Sequence, residues 1–343
     1  MTTTMANLGD QEVALEFQSI FDPQTCTRRG MCPVTQIRHL REPFESHSLY
    51  FEVHGSGPQK IIFIMGLNNS SFAWLSQVEH FSRLEQYTTL VFDNRGVGMS
   101  GSPRGPYSTS GMAEDILCLL DYLQWTEDHS LHVVGISLGG MIAQELAYRI
   151  PNRIMSLSLI STRAGGNPWA NIPSSTRFML SLTLEPRLLT ISDPEKKLPI
   201  FEDMMLPNEW LDSLAEDDPE GRTNREVERE RFRRRVQLTK PQTLMGALGQ
   251  MAAGITHSMS PERLAKVSAS VPKVLILSAA EDTVIPAAEG ANLKRHMPEA
   301  EFQCWEKTGH AICAQHRKRC NQMLENVFEQ GKEAAGKHAG SPE

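Results

Sequence analysis

Short apolar runs alternate with helix-period segments along most of this 343-residue chain. Residues 60–65 (KIIFIM), 87–92 (YTTLVF), 131–135 (LHVVG), 154–161 (IMSLSLIS) and 271–277 (VPKVLIL) are nearly continuous in apolar and β-branched residues. Such runs predict strands buried on both faces. Residues 48–53 alternate and end in the turn cluster His54-Gly55-Ser56-Gly57-Pro58, and residues 301–305 form a shorter strand. Between them lie helical patterns. In residues 111–123, Met112, Ile116, Leu119, Leu120 and Leu123 share one face; residues 138–150 form a helix ended by Pro151; a last helix spans about 314–331. Strands alternating with helices imply βαβ units and a mostly parallel sheet. Residues 163–259 break that rhythm. They are rich in Met, Pro and charge, look helical in pieces, and read as a cap or lid over the sheet. The expected organisation is an irregular N-terminal extension over 1–45, a core over 46–162 and 260–333, the helical cap over 163–259, and a tail over 334–343.

Composition narrows the class. Apolar residues are 40%, charged residues 22%, and the net charge is −7. That is a globular composition, and the acidic surplus argues against a nucleic-acid binder, which carries a basic face. The chain lacks the roughly 20-residue apolar stretch of a transmembrane helix. Its first 30 residues hold no signal-type apolar segment and contain Asp10, Glu12, Glu16 and Asp22. A cytoplasmic location is the expectation. Cysteines at 26, 32, 118, 304, 313 and 320 show no tight paired spacing, so free thiols are expected.

The candidate chemistry centres on Gly135-Ile136-Ser137-Leu138-Gly139, a G-x-S-x-G turn between a strand and a helix. A serine on so sharp a turn needs small neighbours, because strand and helix nearly touch there. The turn lifts Oγ to the C-terminal edge of the sheet, where ligands bind in open α/β folds. The backbone N–H of Leu138 opens the helix and can face a developing oxyanion. The bland alternative is a small-residue turn with an idle serine. A nucleophilic serine also needs a base and an orienting acid. Glu281 and Asp282 both follow the 271–277 strand and are candidates for the acid. A second oxyanion donor fits the loop after residues 60–65, where Gly66 allows close backbone approach and the N–H of Leu67 is placed to donate.

With these motifs in place, residues 48 to about 330 resemble the α/β-hydrolase-fold superfamily, of the capped ester- and lactone-hydrolase type. Asp93-Asn94-Arg95-Gly96-Val97-Gly98-Met99-Ser100 is similar to the family's D-x-R-G-x-G-x-S loop, which buttresses the site. The resemblance implies the chain order Ser, acid, His. It favours Asp282 over Glu281, because the family pattern reads D-x-x-[VI]-P and Pro286 follows Asp282 by four. It also implies His310 as the base. Of the histidines beyond Asp282, His338 lies in the tail, His296 and His316 lie in or beside helices, and His310 follows a strand and a turn. One departure is Met65-Gly66 where the family often has His-Gly. The backbone donor survives that change, while the loop's side-chain support is altered.

The implied function is hydrolysis of a carboxylic ester, lactone or thioester of a small to medium apolar substrate, through Ser137, His310 and Asp282, with no cofactor and no metal. The same groups would also serve C–C bond hydrolysis or acyl transfer to an alcohol, and a weakly catalytic binding protein is the third reading. Gly66, Trp74, Met141 and Trp169 are candidate substrate contacts. Met204, Met205, Phe178 and Met251 would line an acyl pocket or simply form cap core. Gly96-Val97-Gly98-Met99-Ser100-Gly101 matches G-x-G-x-x-G, but Pro103, Gly105 and Pro106 break the helix a dinucleotide site requires. No Cys or His pair has zinc-finger or H-E-x-x-H spacing. The arginines between Arg229 and Arg235 interleave with Glu226, Glu228 and Glu230, the pattern of a solvated helix more than of an anion site.

Overall fold

Residues 18–36, 45–166, 168, 194–216 and 218–339 are described by the structure, a computed structural model. Eight strands form one sheet: β1 (Cys26–Gln36), β2 (Glu45–Gly55), β3 (Gln59–Ile64), β4 (Tyr87–Phe92), β5 (Leu131–Ile136), β6 (Ile154–Ile160), β7 (Lys273–Ala279) and β8 (Glu301–Trp305). Their order is β1-β2-β4-β3-β5-β6-β7-β8. β2 runs antiparallel to β1 and β4, and every other pair is parallel.

The period-2 geometry of a strand explains the continuous apolar runs. Ile62 and Ile64 point into one core layer, with Leu90, Phe92, Val133 and Ile276. Ile61 and Phe63 point into the other, with Val91, Val134, Leu275 and Leu277. Helices α2 (Thr109–Tyr122) and α3 (Leu138–Arg149) cover the first layer. The face of α2 picked out by period is buried, with Met112, Ile116, Leu119 and Leu120 at 1% exposure or less. The other layer is covered by α1 (Leu75–Phe81) and by a C-terminal helix.

Between β6 and β7 the described residues form α4 (Pro194–Met205), α5 (Asn208–Leu211), α6 (Asn224–Leu238) and α7 (Leu244–Thr256), followed by α8 (Pro261–Ser270). Helix α9 (Ala287–His296) precedes β8, and α10 (Ile312–Gln315) and α11 (Arg317–Ala339) close the chain. The arginine-rich α6 is bolted to its neighbours. Arg225 and Arg229 both bind the buried Glu202 of α4, Arg233 binds Glu195, and Arg317 of α11 reaches Glu228. These arginines therefore serve internal ion pairs.

Two boundaries differ from expectation. The N-terminal extension is not wholly irregular, because Cys26–Gln36 is the edge strand β1. Its alternation is real: Gly30, Cys32 and Val34 are buried. Two arginines, a glycine and Pro33 mask it, and a proline is tolerated there because an edge strand leaves one side unpaired. The tail begins later than residue 334, since α11 runs to Ala339. The six cysteines are free thiols, with Cys313 and Cys320 side by side.

His132 lies inside β5, fully buried, bonded to Ser156 Oγ at 2.8 Å and Gln59 Oε1 at 3.1 Å. Burial, with Lys332 a smaller cause, lowers its pKa to about 3, against about 6.5 unfolded. The folded ring stays neutral where the unfolded ring takes a proton. Its contribution to stability is therefore fully present above about pH 6.5 and falls by about 1.4 kcal/mol per pH unit as pH drops towards 3. His132→Asn is expected to flatten the pH slope of urea-unfolding stability by that amount between about pH 6 and pH 4.5. A slope parallel to that of the parent protein would refute the assignment.

Candidate active site

Ser137 sits between β5 and α3 with φ 57° and ψ −122°, a backbone conformation that costs a non-glycine residue about 1–3 kcal/mol. The surroundings hold it there. Its N–H donates to Ile160 O at 2.9 Å, and its carbonyl accepts from Thr162 Oγ1 at 2.8 Å and from the Gly140 N–H at 3.0 Å. The glycines around it are contact points. A Cβ on Gly139 would lie 2.1 Å from Ile64 O, on Gly135 2.4 Å from Gly139 O, and on Gly140 2.6 Å from Thr162 Cβ.

The loop after β3 lies against this turn. A Cβ on Gly66 would sit 3.1 Å from Ser137 Cβ and 3.7 Å from its Oγ. The backbone N–H groups of Leu67 and Leu138 donate to no other group among the described residues, as free oxyanion donors must. Neighbouring side chains shape the loop. Asn94 Nδ2 donates to Met65 O at 2.9 Å, and Gln250 of α7 accepts from the Asn68 N–H at 2.8 Å while donating to Arg95 O at 2.8 Å. Gln242 donates to Asn68 Oδ1 and Gly96 O. Helix α7 is thus hydrogen bonded to the loop beside the serine and to the loop after β4. Gln250, fully buried in an otherwise apolar helix, escaped the sequence reading. A lone polar residue among apolar helix positions was the available signal.

Asp282 follows β7 and His310 follows β8, each at the same edge of the sheet as Ser137. His310 Nδ1 lies 2.7 Å from Asp282 Oδ2, and both side chains are buried. Asp282 Oδ1 accepts from the N–H groups of Val284 and Ile285, each at 2.8 Å. Glu281, the other acid considered, is exposed. Asp282 is an acceptor on both oxygens, so the proton between the pair belongs on Nδ1 and His310 keeps Nε2 as its basic nitrogen. The C-terminal end of α4 leans on both loops. Met205 O accepts from the Ala311 N–H, and Met204 O from Thr283 Oγ1.

The loop after β4, residues 93–100, is buried apart from the partly exposed Gly98. Asp93 accepts from the Ser71 N–H at 2.7 Å and the Met99 N–H at 2.8 Å, while desolvation pushes its carboxyl above the usual range. Arg95, with no exposed surface, forms two 2.6 Å hydrogen bonds to Asp115.

The remaining candidates separate. Met141 is buried in the core layer beneath α3. Trp74 requires correction as a substrate contact. It is 1% exposed, its ring 5.0 Å from that of Phe63, and it offers no surface to a ligand. An aromatic residue shortly after the loop glycine is here a packing anchor of the opposite layer. Met204, Met205 and Met251 are half-buried. Trp169 and Phe178 lie outside the described residues.

A match to the family described as alpha/beta hydrolase fold spans residues 60–316. The chain belongs to the alpha/beta hydrolase fold family. A relative from Azorhizobium caulinodans named "Putative carbamate hydrolase RutD" is 28% identical over 280 residues, covering 80% of this chain and 93% of the relative. A protein of Acinetobacter baylyi named "3-oxoadipate enol-lactonase 2" is 33% identical over 104 residues, 30% of this chain and 37% of its own. Among solved structures, the enol-lactonase from Burkholderia xenovorans LB400 superposes with a TM-score of 0.63 at 20% identity, covering 82% of this chain and 97% of that one. That likeness is one of fold. Among the described residues of this hydrolase, no helix is long and apolar enough to cross a membrane.

The packing at Ser137 predicts two opposite outcomes. Gly139→Ala is expected to lose about 3 kcal/mol, the upper end of overpacking costs, because its Cβ meets backbone that cannot move aside. Gly254→Ala, on α7 with only Leu138 Cδ1 at 3.8 Å, is expected to be neutral or to gain up to about 1 kcal/mol from helix propensity. Thermal and urea unfolding of both variants checks the pair.

Proposed function

We propose that this chain is a serine hydrolase acting on a carboxylic ester, lactone or thioester of small to medium apolar character. Ser137 is the nucleophile, His310 the general base and Asp282 the orienting acid. The N–H groups of Leu67 and Leu138 receive the oxyanion, Gly66 admits the substrate carbonyl close to Ser137, and the 163–259 insertion caps the site. The observation that carries this reading is the buried His310–Asp282 hydrogen bond, with Asp282 pinned by two further backbone donors. It fixes the tautomer that a serine hydrolase needs.

In the reaction, His310 Nε2 takes the proton of Ser137 Oγ as the oxygen attacks the substrate carbonyl. The negative charge forms where the two amides donate. His310 then protonates the departing alcohol or thiol, and a water deprotonated by His310 releases the acyl group. The same steps accommodate a carbamate carbonyl with an amine or alcohol leaving. That second reading is favoured by the name of the relative matched over 93% of its length. C–C bond hydrolysis and acyl transfer to an alcohol would use the same groups. Product analysis with water and alcohol as competing acceptors distinguishes them.

A fluorophosphonate probe, read by intact mass and peptide mapping, tests the assignment. Labelling is expected at Ser137 and is expected to vanish in Ser137→Ala and His310→Ala. Asp282→Asn, which turns an acceptor into a donor beside Nδ1, is expected to lower kcat by about 10⁴-fold while the fold survives. Full turnover in Ser137→Ala against a panel of esters, lactones, thioesters and carbamates would sink the proposal.

A further inference from the structure

We propose that Cys26, Glu52 and His54 form a binding site for a zinc-class divalent cation that pins the edge strand β1 to β2. Cys26 and His54 are direct cross-strand partners, and Glu52 lies two residues from His54 on the same face of β2. A register shift falls between Cys26 and Arg28, an irregularity of the kind found beside sites. The Cys26 Sγ, one Glu52 oxygen and one His54 nitrogen all lie within 4.8 Å of one another.

The hydrogen bonds around the cluster leave its centre unsatisfied. The Thr25 hydroxyl donates to Asp22 O at 3.0 Å, so it accepts from His54 Nδ1–H at 2.9 Å. That fixes the tautomer and leaves a bare lone pair on Nε2. Glu52 Oε1 accepts from Tyr50 OH and Ser19 Oγ at 2.7 and 2.8 Å. Among the described residues, Glu52 Oε2 and His54 Nε2 have no hydrogen-bond partner, although their residues are 1% and 0% exposed. They face each other at 3.4 Å. Two lone pairs at that separation repel unless something positive lies between them.

A proton on Nε2 would join only Glu52 and His54, leaving the Cys26 thiol on its 3.7 Å hydrogen bond to Arg28 O. A metal ion answers all three. Zinc-to-nitrogen and zinc-to-oxygen bonds of about 2.0 Å at tetrahedral angles put the two donors about 3.3 Å apart, close to the observed gap. Thiolate and carboxylate together balance a 2+ charge, which makes the assembly neutral in a buried place. The set of sulfur, imidazole and carboxylate donors suits zinc better than calcium or magnesium. The Thr25 hydroxyl supplies the orienting partner that metal-bound histidines need on the other ring nitrogen. Burial, then the Glu52 carboxylate, holds the Cys26 thiol protonated, up to about 11. Binding therefore forms the sulfur–metal bond and releases that proton to solvent. Cys26 is only partly buried, which provides entry for the ion and a fourth position for solvent. The site lies on β2, three strands across the sheet from β5 and the candidate active serine, and stands independently of the hydrolase reading. Sequence spacing could not announce it, because strand pairing, not a short motif, brings residue 26 to residues 52 and 54.

The test uses the full-length protein, stripped with a chelator and titrated with Co²⁺ and then Zn²⁺. The expected result is one equivalent of Co²⁺ with a thiolate-to-cobalt charge-transfer band, which Zn²⁺ displaces. Cys26→Ala is expected to lose the band and at least 100-fold in affinity. Cys304→Ala, at an exposed thiol on β8, is expected to keep both. Alkylation mapped by mass spectrometry reads the same site in the unmutated protein, where Zn²⁺ is expected to protect Cys26 selectively. Absence of the band, its survival in Cys26→Ala, or unprotected alkylation of Cys26 at saturating Zn²⁺ would overturn the proposal.

Discussion

The positive φ of Ser137 is the constraint on which the rest of the molecule depends. A serine in that conformation must be held by its surroundings, and the surroundings are the sheet itself. β5 delivers the residue, β6 accepts its N–H through Ile160 O, and α3 starts at once behind it. Strand and helix meet so closely that positions 135 and 139 have no room for a Cβ, and position 140 presses on Thr162. The β3 carbonyl at Ile64 occupies the space a side chain at 139 would need. A turn costing about 1–3 kcal/mol is thus locked by three neighbouring strands, and the serine oxygen has little freedom of position.

A second tier of buried polar contacts extends that rigidity to the loops. Asp93 gathers the N–H groups of Ser71 and Met99, and Arg95 is clamped on Asp115. Removing one partner of such a buried pair costs about 3–5 kcal/mol, far more than a surface ion pair. Gln250 carries the network into the insertion by bonding both the Asn68 N–H and Arg95 O. The arginines of α6 act differently. Their partners Glu202, Glu195 and Glu228 tie the insertion's helices to one another and to α11. Charge holds the insertion together, while amide hydrogen bonds register it against the sheet.

Much of this was readable from the chain alone, for physical reasons. A strand buried on both faces must be apolar at every position, so β3, β4, β5, β6 and β7 stand out. The G-x-S-x-G turn stands out because its glycines are sterically required. His310 and Asp282, chosen through the family's chain order, are brought together at 2.7 Å. β1 was hidden because an edge strand needs only half its residues apolar and tolerates Pro33. Trp74 misled because composition cannot distinguish an aromatic that lines a cleft from one that fills a core. The Cys26–Glu52–His54 cluster depends on contacts between residues far apart in the chain, which no local pattern encodes, while Gln250 showed only as a lone polar residue in an apolar helix.

The Met65-Gly66 pair shows how one departure from the family pattern is absorbed. A histidine at that position would bring a polar side chain to the loop. Met65 instead turns into the core layer with Phe63 and Trp74, 7% exposed. The loop then takes its support through backbone groups: Asn94 donates to Met65 O, and Gln250 accepts from the Asn68 N–H. Both supports come from outside the loop, one from the segment after β4 and one from the insertion. The amide of Leu67 lies between these two tethered positions. Its aim is set jointly by the sheet and by α7, and a shift of α7 would move the Asn68 end of the loop while Asn94 holds the Met65 end. In this chain α7 is therefore mechanically coupled to the loop after β3, and the placement of the two cannot vary independently.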